Sequence, residues 1–231
     1  MQLRSFVLVN HSGELEHESP AQQKTPLAQL WKKGHDIPMT FSSPQTTAKL
    51  QTRLATTRHI GALKLMINNA YRGETGKKGW TTEADLIGGQ RIDEGLLEEI
   101  LGTNQSYLLI AFETEDSILG CVHLQKLSSS QGDQTKVYLG LLTVNVDHQK
   151  RGVGDYLLQE SERYAKQKLK AAAIEMTVLS VRKELIAWYV KRGYRVTGEQ
   201  RPFPYGNERF GRPFKDDLVF EVLIKNLAER F

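Results

Sequence analysis

The chain has 231 residues, 39% hydrophobic and 25% charged, enough to bury one substantial core in a globular protein facing water. No apolar run approaches the ~20 residues of a membrane span, and the segment Met1 to Asn10 has too short an apolar stretch for a signal peptide, so a cytoplasmic protein without membrane partners is expected. One cysteine, Cys121, excludes a disulfide framework, six scattered histidines without a His-Glu-x-x-His pattern argue against a metal, and a diffuse net charge of +4 argues against a nucleic-acid partner.

Residues 1–48 contain Pro20, Pro26, Pro38 and Pro44, more than half of the seven prolines, among Ser, Gln and Thr. They read as a poorly ordered or peripheral extension, and residues 49–231 as the folded domain. Gln51 to Thr56 reads as a first strand. After a cap at Thr57, the spacing of Ile60, Leu63, Leu65, Met66 and Ala70 predicts a helix to Tyr71. A polar, glycine-rich stretch from Arg72 to Trp80 follows. A short turn over Glu83 to Ile87, capped by Thr81 or Thr82, is broken by Gly88-Gly89.

Ser106 to Glu113 and Ile118 to Leu124 form two apolar runs around an acidic turn, the pattern of a hairpin. Cys121 lies within the second run and reads as a buried structural thiol. Val137 to Val146 predicts a strand beside them. From Gly152 to about Leu169, Val153, Tyr156, Leu157, Ser161, Tyr164 and Ala165 recur on one helical face. A strand at Ala173 to Leu179, a helix from Arg182 to Lys191 ending at Gly193, and a strand at Leu218 to Ile224 complete the chain.

The junction Gln149-Lys150-Arg151-Gly152-Val153-Gly154 carries the most chemistry, because a strand there feeds a glycine-bearing turn that opens a helix. The first amides of a helix lack internal acceptors and sit at the positive end of its dipole. Glycines admit an anion close to that backbone, and Lys150 and Arg151 add charge, so the turn reads as a pyrophosphate cradle. A tight turn without a ligand is the plainer alternative. Neither the G-x-x-x-x-G-K-[ST] loop nor the G-x-G-x-x-G fingerprint is present, since Leu157 stands where the third glycine would be.

Gln-x-x-Gly-x-Gly after a strand ending Leu142-Thr143-Val144 resembles the acyl-CoA-binding motif of the Gcn5-related N-acetyltransferase (GNAT) superfamily, in a bacterial-type subgroup. Leu185 to Tyr194, a helix with a tyrosine that ends at Gly-aromatic, resembles the second motif of that superfamily. From Gln51 onward, the order strand-helix-helix-three strands-helix-strand-helix-strand is also similar. Two positions depart from the pattern: Arg182 stands where many members have asparagine, and Val146 where proline is frequent.

The resemblance implies an α/β fold with a mixed, mostly antiparallel sheet of six to seven strands flanked by helices, and a parallel, splayed pair at the cofactor site. It implies acetyl-CoA as donor, with Gln149, Lys150, Arg151, Gly152, Val153 and Gly154 at the pyrophosphate. Val144, Asn145 and Val146 would run along the pantetheine arm, and an amide near Val144 would polarise the thioester carbonyl. Tyr189 would protonate the departing sulfur, a phenol of pKa near 10 serving a thiol of ~8.5. Packing on the helix face is the plainer reading of that tyrosine.

The resemblance implies as acceptor a primary amine of a small molecule, amino acid or peptide. Trp80, Glu83, Asp85 and His123 are its candidate contacts; for His123 a satisfied core histidine is the alternative, and for Glu83 and Asp85 a solvated surface. Tyr205 and Phe210 are further candidates for the pocket, and Arg91, Arg201 and Arg209 for an acidic substrate. The general base, the acyl length and the choice between monomer and homodimer stay open. A non-catalytic acyl-CoA-binding or sensing module on the same fold is the competing function.

Overall fold

The computed structural model describes residues 49–72, 79, 83–115, 117–127 and 134–227. The expectations for residues 1–48 and for Trp80 lie outside the described residues. Among the described residues, besides short 3-10 turns, the strands and α-helices are β1 (Gln51–Leu54), α1 (Ile60–Tyr71), β2 (Ile87–Gly88), α2 (Glu94–Gly102), β3 (Ser106–Phe112), β4 (Ile118–Lys126), β5 (Lys136–Val144), α3 (Val153–Gln167), β6 (Ala173–Leu179), α4 (Lys183–Val190), β7 (Arg195–Pro202), β8 (Arg212–Pro213) and β9 (Val219–Asn226). Seven strands form one sheet in the order β1-β3-β4-β5-β6-β9-β7, and β2 pairs with β8 apart from it. Every pairing is antiparallel except β5 with β6.

Both faces of the sheet are covered. Along β3, Leu108 and Ile110 face one core cluster, with Ile60, Leu63, Met66 and Ile67 of α1 and Leu97 of α2. Leu109 and Ala111 face the other, with Val153, Leu157, Leu158 and Ala165 of α3. This alternation is the period-two geometry of a strand buried on both sides. Each fully buried Leu or Val in these layers contributes about 1.5–3 kcal/mol relative to exposure.

The helix ends have identifiable causes. Before α1, the Thr56 amide donates to Nδ1 of His59 at 2.9 Å, an imidazole doing what glutamate does in a capping box. Asp93 caps α2 by accepting the Leu96 amide at 2.7 Å. After α4, Gly193 has φ +90° and the Tyr194 amide reaches back to the Tyr189 carbonyl at 3.2 Å, closing the helix as a Schellman turn.

One distortion decides where the site lies. Opposite Cys121 to His123 of β4, strand β5 spends an extra residue, because the pairs run Cys121–Thr143 and then His123–Gly140. Leu141 has φ +49° within this bulge. Val137 and Leu139 pack towards α3, Leu141 joins the α1 cluster, and Leu142 and Val144 return to the α3 side. A bulge bends its strand and sharpens the twist. Accordingly β5 and β6 are paired only over Lys136–Tyr138 and Ala173–Glu175, and beyond that the two strands part.

Gly120 holds the other side of β5 close. A Cβ there would sit 2.5 Å from the Thr143 carbonyl oxygen and 2.8 Å from Cδ1 of Leu157. The backbone contact cannot relax as a side chain would. Gly120→Ala is therefore expected to destabilise the fold by about 1–3 kcal/mol, read as a lowered midpoint of thermal or urea unfolding.

Candidate active site

The parting of β5 from β6 opens a cavity of about 390 Å³. Its wall includes Val144, Gln149, Lys150, Gly152, Val153 and Gly154 from the junction, and Tyr189, Trp188 and Leu185 from α4. Thus the glycine turn and the tyrosine, 35 or more residues apart in sequence, meet across one space. The volume lies in the usual range for small-ligand sites.

The cradle end has the geometry that an anion requires. Gly152 is the N-cap of α3, with φ +80° and no side-chain cap. Its carbonyl accepts the Tyr156 amide at 3.0 Å, so the amides of Val153, Gly154 and Asp155 precede the first intrahelical bonds. No protein atom lies within 4 Å of where a Gly152 Cβ would be, which leaves the approach to that backbone open.

The β5 edge is equally suited to a ligand. Val144 opposes Gly120, and the Asn145 amide donates to the Leu119 carbonyl at 2.8 Å. Val144 is consequently in a non-hydrogen-bonded position with respect to β4, and its own amide and carbonyl point towards the split. Thr143 is buried, its hydroxyl donating to the Leu141 carbonyl at 2.9 Å.

Not every residue of the junction faces inward. Asn145 and Val146 are outside the cavity lining; the Asn145 side chain accepts the Asp147 amide at 3.2 Å, tightening the turn over Val146 to His148. Arg151 is also outside the lining. Its guanidinium donates to Glu113 at 2.8 Å and lies 2.6 Å from Nδ1 of His148. Lys150 is the cation of the pair that lines the space.

Asp155, in the first turn of α3, also lines the cavity, and it is gripped by both Nε and Nη2 of Arg192, the latter at 2.8 Å. The same guanidinium lies 3.7 Å from the centre of the Trp188 ring and donates to the Trp188 carbonyl at 2.8 Å. This cluster fastens the end of α4 to the start of α3, setting Tyr189 against the cradle.

Tyr189 is buried, its ring edge-on to Trp188 at 4.9 Å and to Tyr194 at 5.7 Å. Its hydroxyl has no hydrogen-bond partner among the described residues. Burial, reinforced by Tyr71, pushes its pKa above the ordinary phenol value, so it carries its proton throughout the physiological range.

The acceptor candidates fare differently. Glu83 is outside the lining and is held between two arginines, with Arg72 Nη1 at 2.6 Å and Arg182 Nη1 at 3.2 Å. Asp85 is exposed and also outside it. His123 is outside the lining and shares a 2.8 Å hydrogen bond with the Ser106 hydroxyl. Tyr205 and Phe210 are absent from the lining and flank Phe203, with ring centres 5.1 and 6.4 Å away. Arg201 pairs with Glu175 and Glu199, and Arg209 with Glu99. Arg91 stands 5.3 Å over the Tyr71 ring.

Burial, assisted by Arg91, depresses the His123 pKa to about 4. An unfolded histidine titrates near 6.5, so below that pH the unfolded chain binds a proton that the folded chain refuses. Stability is therefore expected to fall as pH drops from about 6.5 towards 4, by about 2–3 kcal/mol. Urea unfolding of His123→Gln across this window, compared with wild type, checks it: the variant should lose most of the slope.

Sequence reasoning did not nominate Ala70, Tyr71, Leu142, Asp155, Leu185 or Trp188 as wall residues. Tyr71 was legible only as the last helical position of α1; its hydroxyl donates to the Leu142 carbonyl at 3.4 Å, at the bulge. Nor was Arg182 nominated, although its place in the second motif marked it as unusual. Among the described residues no cluster of His, Cys, Asp and Glu has the makings of a metal site, and no helix is long and apolar enough to cross a membrane.

No curated protein matches the chain. Among solved structures, an N-acetyltransferase from Staphylococcus aureus Mu50 is 12% identical with a TM-score of 0.58, covering 78% of this chain and 99% of that one. A ribosomal-protein-alanine N-acetyltransferase from Brucella melitensis is 18% identical with a TM-score of 0.57, covering 76% and 99%. A spermidine N-acetyltransferase chimera from Vibrio cholerae is 14% identical with a TM-score of 0.55, covering 77% and 95%. At such identities the likeness is one of fold. The model of the acetyltransferase (GNAT) family matches residues 66–194, which takes in α1, the β5–α3 junction and all of α4. With more than half of its length matched, the chain belongs to the acetyltransferase (GNAT) family.

Proposed function

We propose that residues 49–231 form an acetyl-CoA-dependent N-acetyltransferase that moves an acetyl group to a primary amine. One observation carries the reading: a single cavity is walled by the open α3 N-terminus, the unpaired edge of β5 and the phenol of Tyr189. The fit to a long, anionic thioester is good at each point. Gly152, Val153 and Gly154 offer backbone amides to the diphosphate, and Lys150 adds charge beside them. The Val144 amide and carbonyl, turned towards the split, can pair with the amides of the pantetheine arm.

The thioester supplies an acyl group already activated for transfer. The residues of the chain orient it, exclude water and manage protons. Polarisation of the carbonyl by a fixed backbone donor is worth about 10²–10³ in rate in comparable sites. The amine nitrogen forms a bond to the acyl carbon as the carbon–sulfur bond breaks. Tyr189 gives its proton to the sulfur and is reprotonated from solvent, and the proton shed by the nitrogen goes to water.

The wall, as described, contains no histidine, and its one carboxylate, Asp155, is bound to Arg192. The amine therefore has to enter neutral or lose its proton to water. Calorimetric titration with acetyl-CoA, followed by thiol release in the presence of amines, amino acids and peptides, tests the reading. Absence of acetyl-CoA binding would overturn it. Binding without release to any amine would favour the sensing module instead.

A further inference from the structure

The cradle contains one group of the wrong sign. Asp155 stands in the first turn of α3, directly after Gly154, and lines the same cavity. The helix dipole favours an acidic residue there as long as the amides hold no other anion. Once a diphosphate occupies them, the carboxylate repels it, and its formal charge cancels that of Lys150 in the same wall. A loose aspartate at the third helical position can also fold back towards the open amides, as the acid of a capping box does, and compete with the ligand.

Arg192, just past the end of α4, answers both problems. Among the described residues the hydrogen bonds of the Asp155 carboxylate go to Nε and Nη2 of Arg192, the latter at 2.8 Å, so both oxygens are drawn onto one planar fork. The fork is held from behind. Its Nη1 donates to the Trp188 carbonyl at 2.8 Å, and the guanidinium lies 3.7 Å from the centre of the Trp188 ring. The Arg192 carbonyl accepts Nζ of Lys225 at 2.8 Å, and the same ammonium donates to Glu162 at 2.6 Å. Asp155 and Glu162 are seven residues apart on one face of α3, so Arg192 is tied to that helix at two heights. Its position owes nothing to a ligand. Nor does the pair contribute much to stability, since the Arg192 and Asp155 side chains are 25% and 44% exposed.

We propose that Arg192 is a positioning residue for the donor: by masking Asp155 and holding it off the α3 amides, it gives the cradle its net attraction for a diphosphate. The inference rests on the donor reading above, and it assigns Arg192 no contact with the ligand.

The test is calorimetric titration of acetyl-CoA into the wild-type chain, Arg192→Gln, Arg192→Lys, Asp155→Asn and the double variant Arg192→Gln/Asp155→Asn, with thermal midpoints recorded on the same preparations. Arg192→Gln should weaken binding by about tenfold at low ionic strength, and the gap should narrow as salt is raised. Arg192→Lys keeps the charge and should stay within about threefold of wild type. Asp155→Asn should bind as tightly as wild type or more tightly. The double variant decides: removing the carboxylate should return affinity to within about threefold of wild type although Arg192 is still missing. A double variant as weak as Arg192→Gln would mean that the arginine acts by direct contact or by packing, and masking is overturned. Wild-type affinity in Arg192→Gln, or a lysine variant as weak as the glutamine one, overturns it too. Asp155→Asn, half exposed in wild type, keeps the proposal falsifiable where Arg192→Gln disturbs the fold, because weaker binding by this variant alone also overturns masking. The two readings stay apart: no binding of acetyl-CoA to wild type sinks the donor site, whereas wild-type binding with an unrescued loss sinks only the role of Arg192.

Discussion

Tyr189→Phe is expected to lower kcat by about 100-fold while leaving acetyl-CoA affinity unchanged. The substitution removes one oxygen and little else. The ring of Tyr189 is fixed by edge-on contacts to Trp188 and Tyr194, and a phenylalanine keeps both. No partner among the described residues loses a hydrogen bond, so no buried polar group is orphaned and the cost to stability should be small. What disappears is a phenol facing the cavity; the other phenol among the described wall residues, Tyr71, directs its hydroxyl to the Leu142 carbonyl. Burial holds the Tyr189 phenol protonated well beyond its ordinary range, so it donates only once charge has developed on a nearby sulfur. Single-turnover rates with pre-bound acetyl-CoA would separate this from a binding defect. A drop in affinity or melting temperature that accounts for the lost rate would make Tyr189 a wall residue and nothing more.

The parts of this arrangement that could be read from sequence are those with local causes. The β5–α3 and β6–α4 units each switch from strand to helical periodicity across a turn of a few residues, and both appear within about two positions of their predicted ends. The β3–β4 hairpin and β9 follow from continuous apolar runs. Helix α2 was missed although a signal existed: Asp93 is a capping residue, and Leu96, Leu97 and Ile100 follow at helical spacing. Strand β7 had no such signal. Its residues are almost all exposed and polar, and it is a strand because it pairs with β9 at the sheet edge.

The site divides in the same way. Gly152 and Tyr189 belong to short motifs whose spacing shows on the page. The Arg72–Glu83–Arg182 group joins residues 11 and 99 positions apart, and no local pattern announces it. The bulge at Leu141 is intermediate. Two successive leucines hint at a change of phase, but only pairing with β4 makes the left-handed residue necessary. Arg151 illustrates the limit of reading charge from sequence: at the cradle by position, it is turned towards Glu113 by an ion pair 38 residues back.

Gly152→Val is expected to weaken acetyl-CoA binding by at least about 100-fold, equivalent to about 2.7 kcal/mol. At φ +80° a β-branched residue is strained by about 1–3 kcal/mol, and relief of that strain would rotate the amides that open α3. An added Cβ would meet no protein atom within 4 Å apart from its chain neighbours, so the substitution enters open space beside the backbone. Because Gly152 lines the cavity, the bulk of the valine is expected to narrow the approach to the cradle. Gly154→Ala is the internal control. Its Cβ would meet Val144 Cγ2 at 3.5 Å and Trp188 Cζ2 at 3.7 Å, ordinary contacts, and its φ is not positive. It should therefore cost less than tenfold, about 1.4 kcal/mol or below. Calorimetry of both variants against wild type provides the comparison. Equal affinity of Gly152→Val and wild type would mean that the diphosphate is held elsewhere, and the opened edge of β5 would then have to serve another ligand.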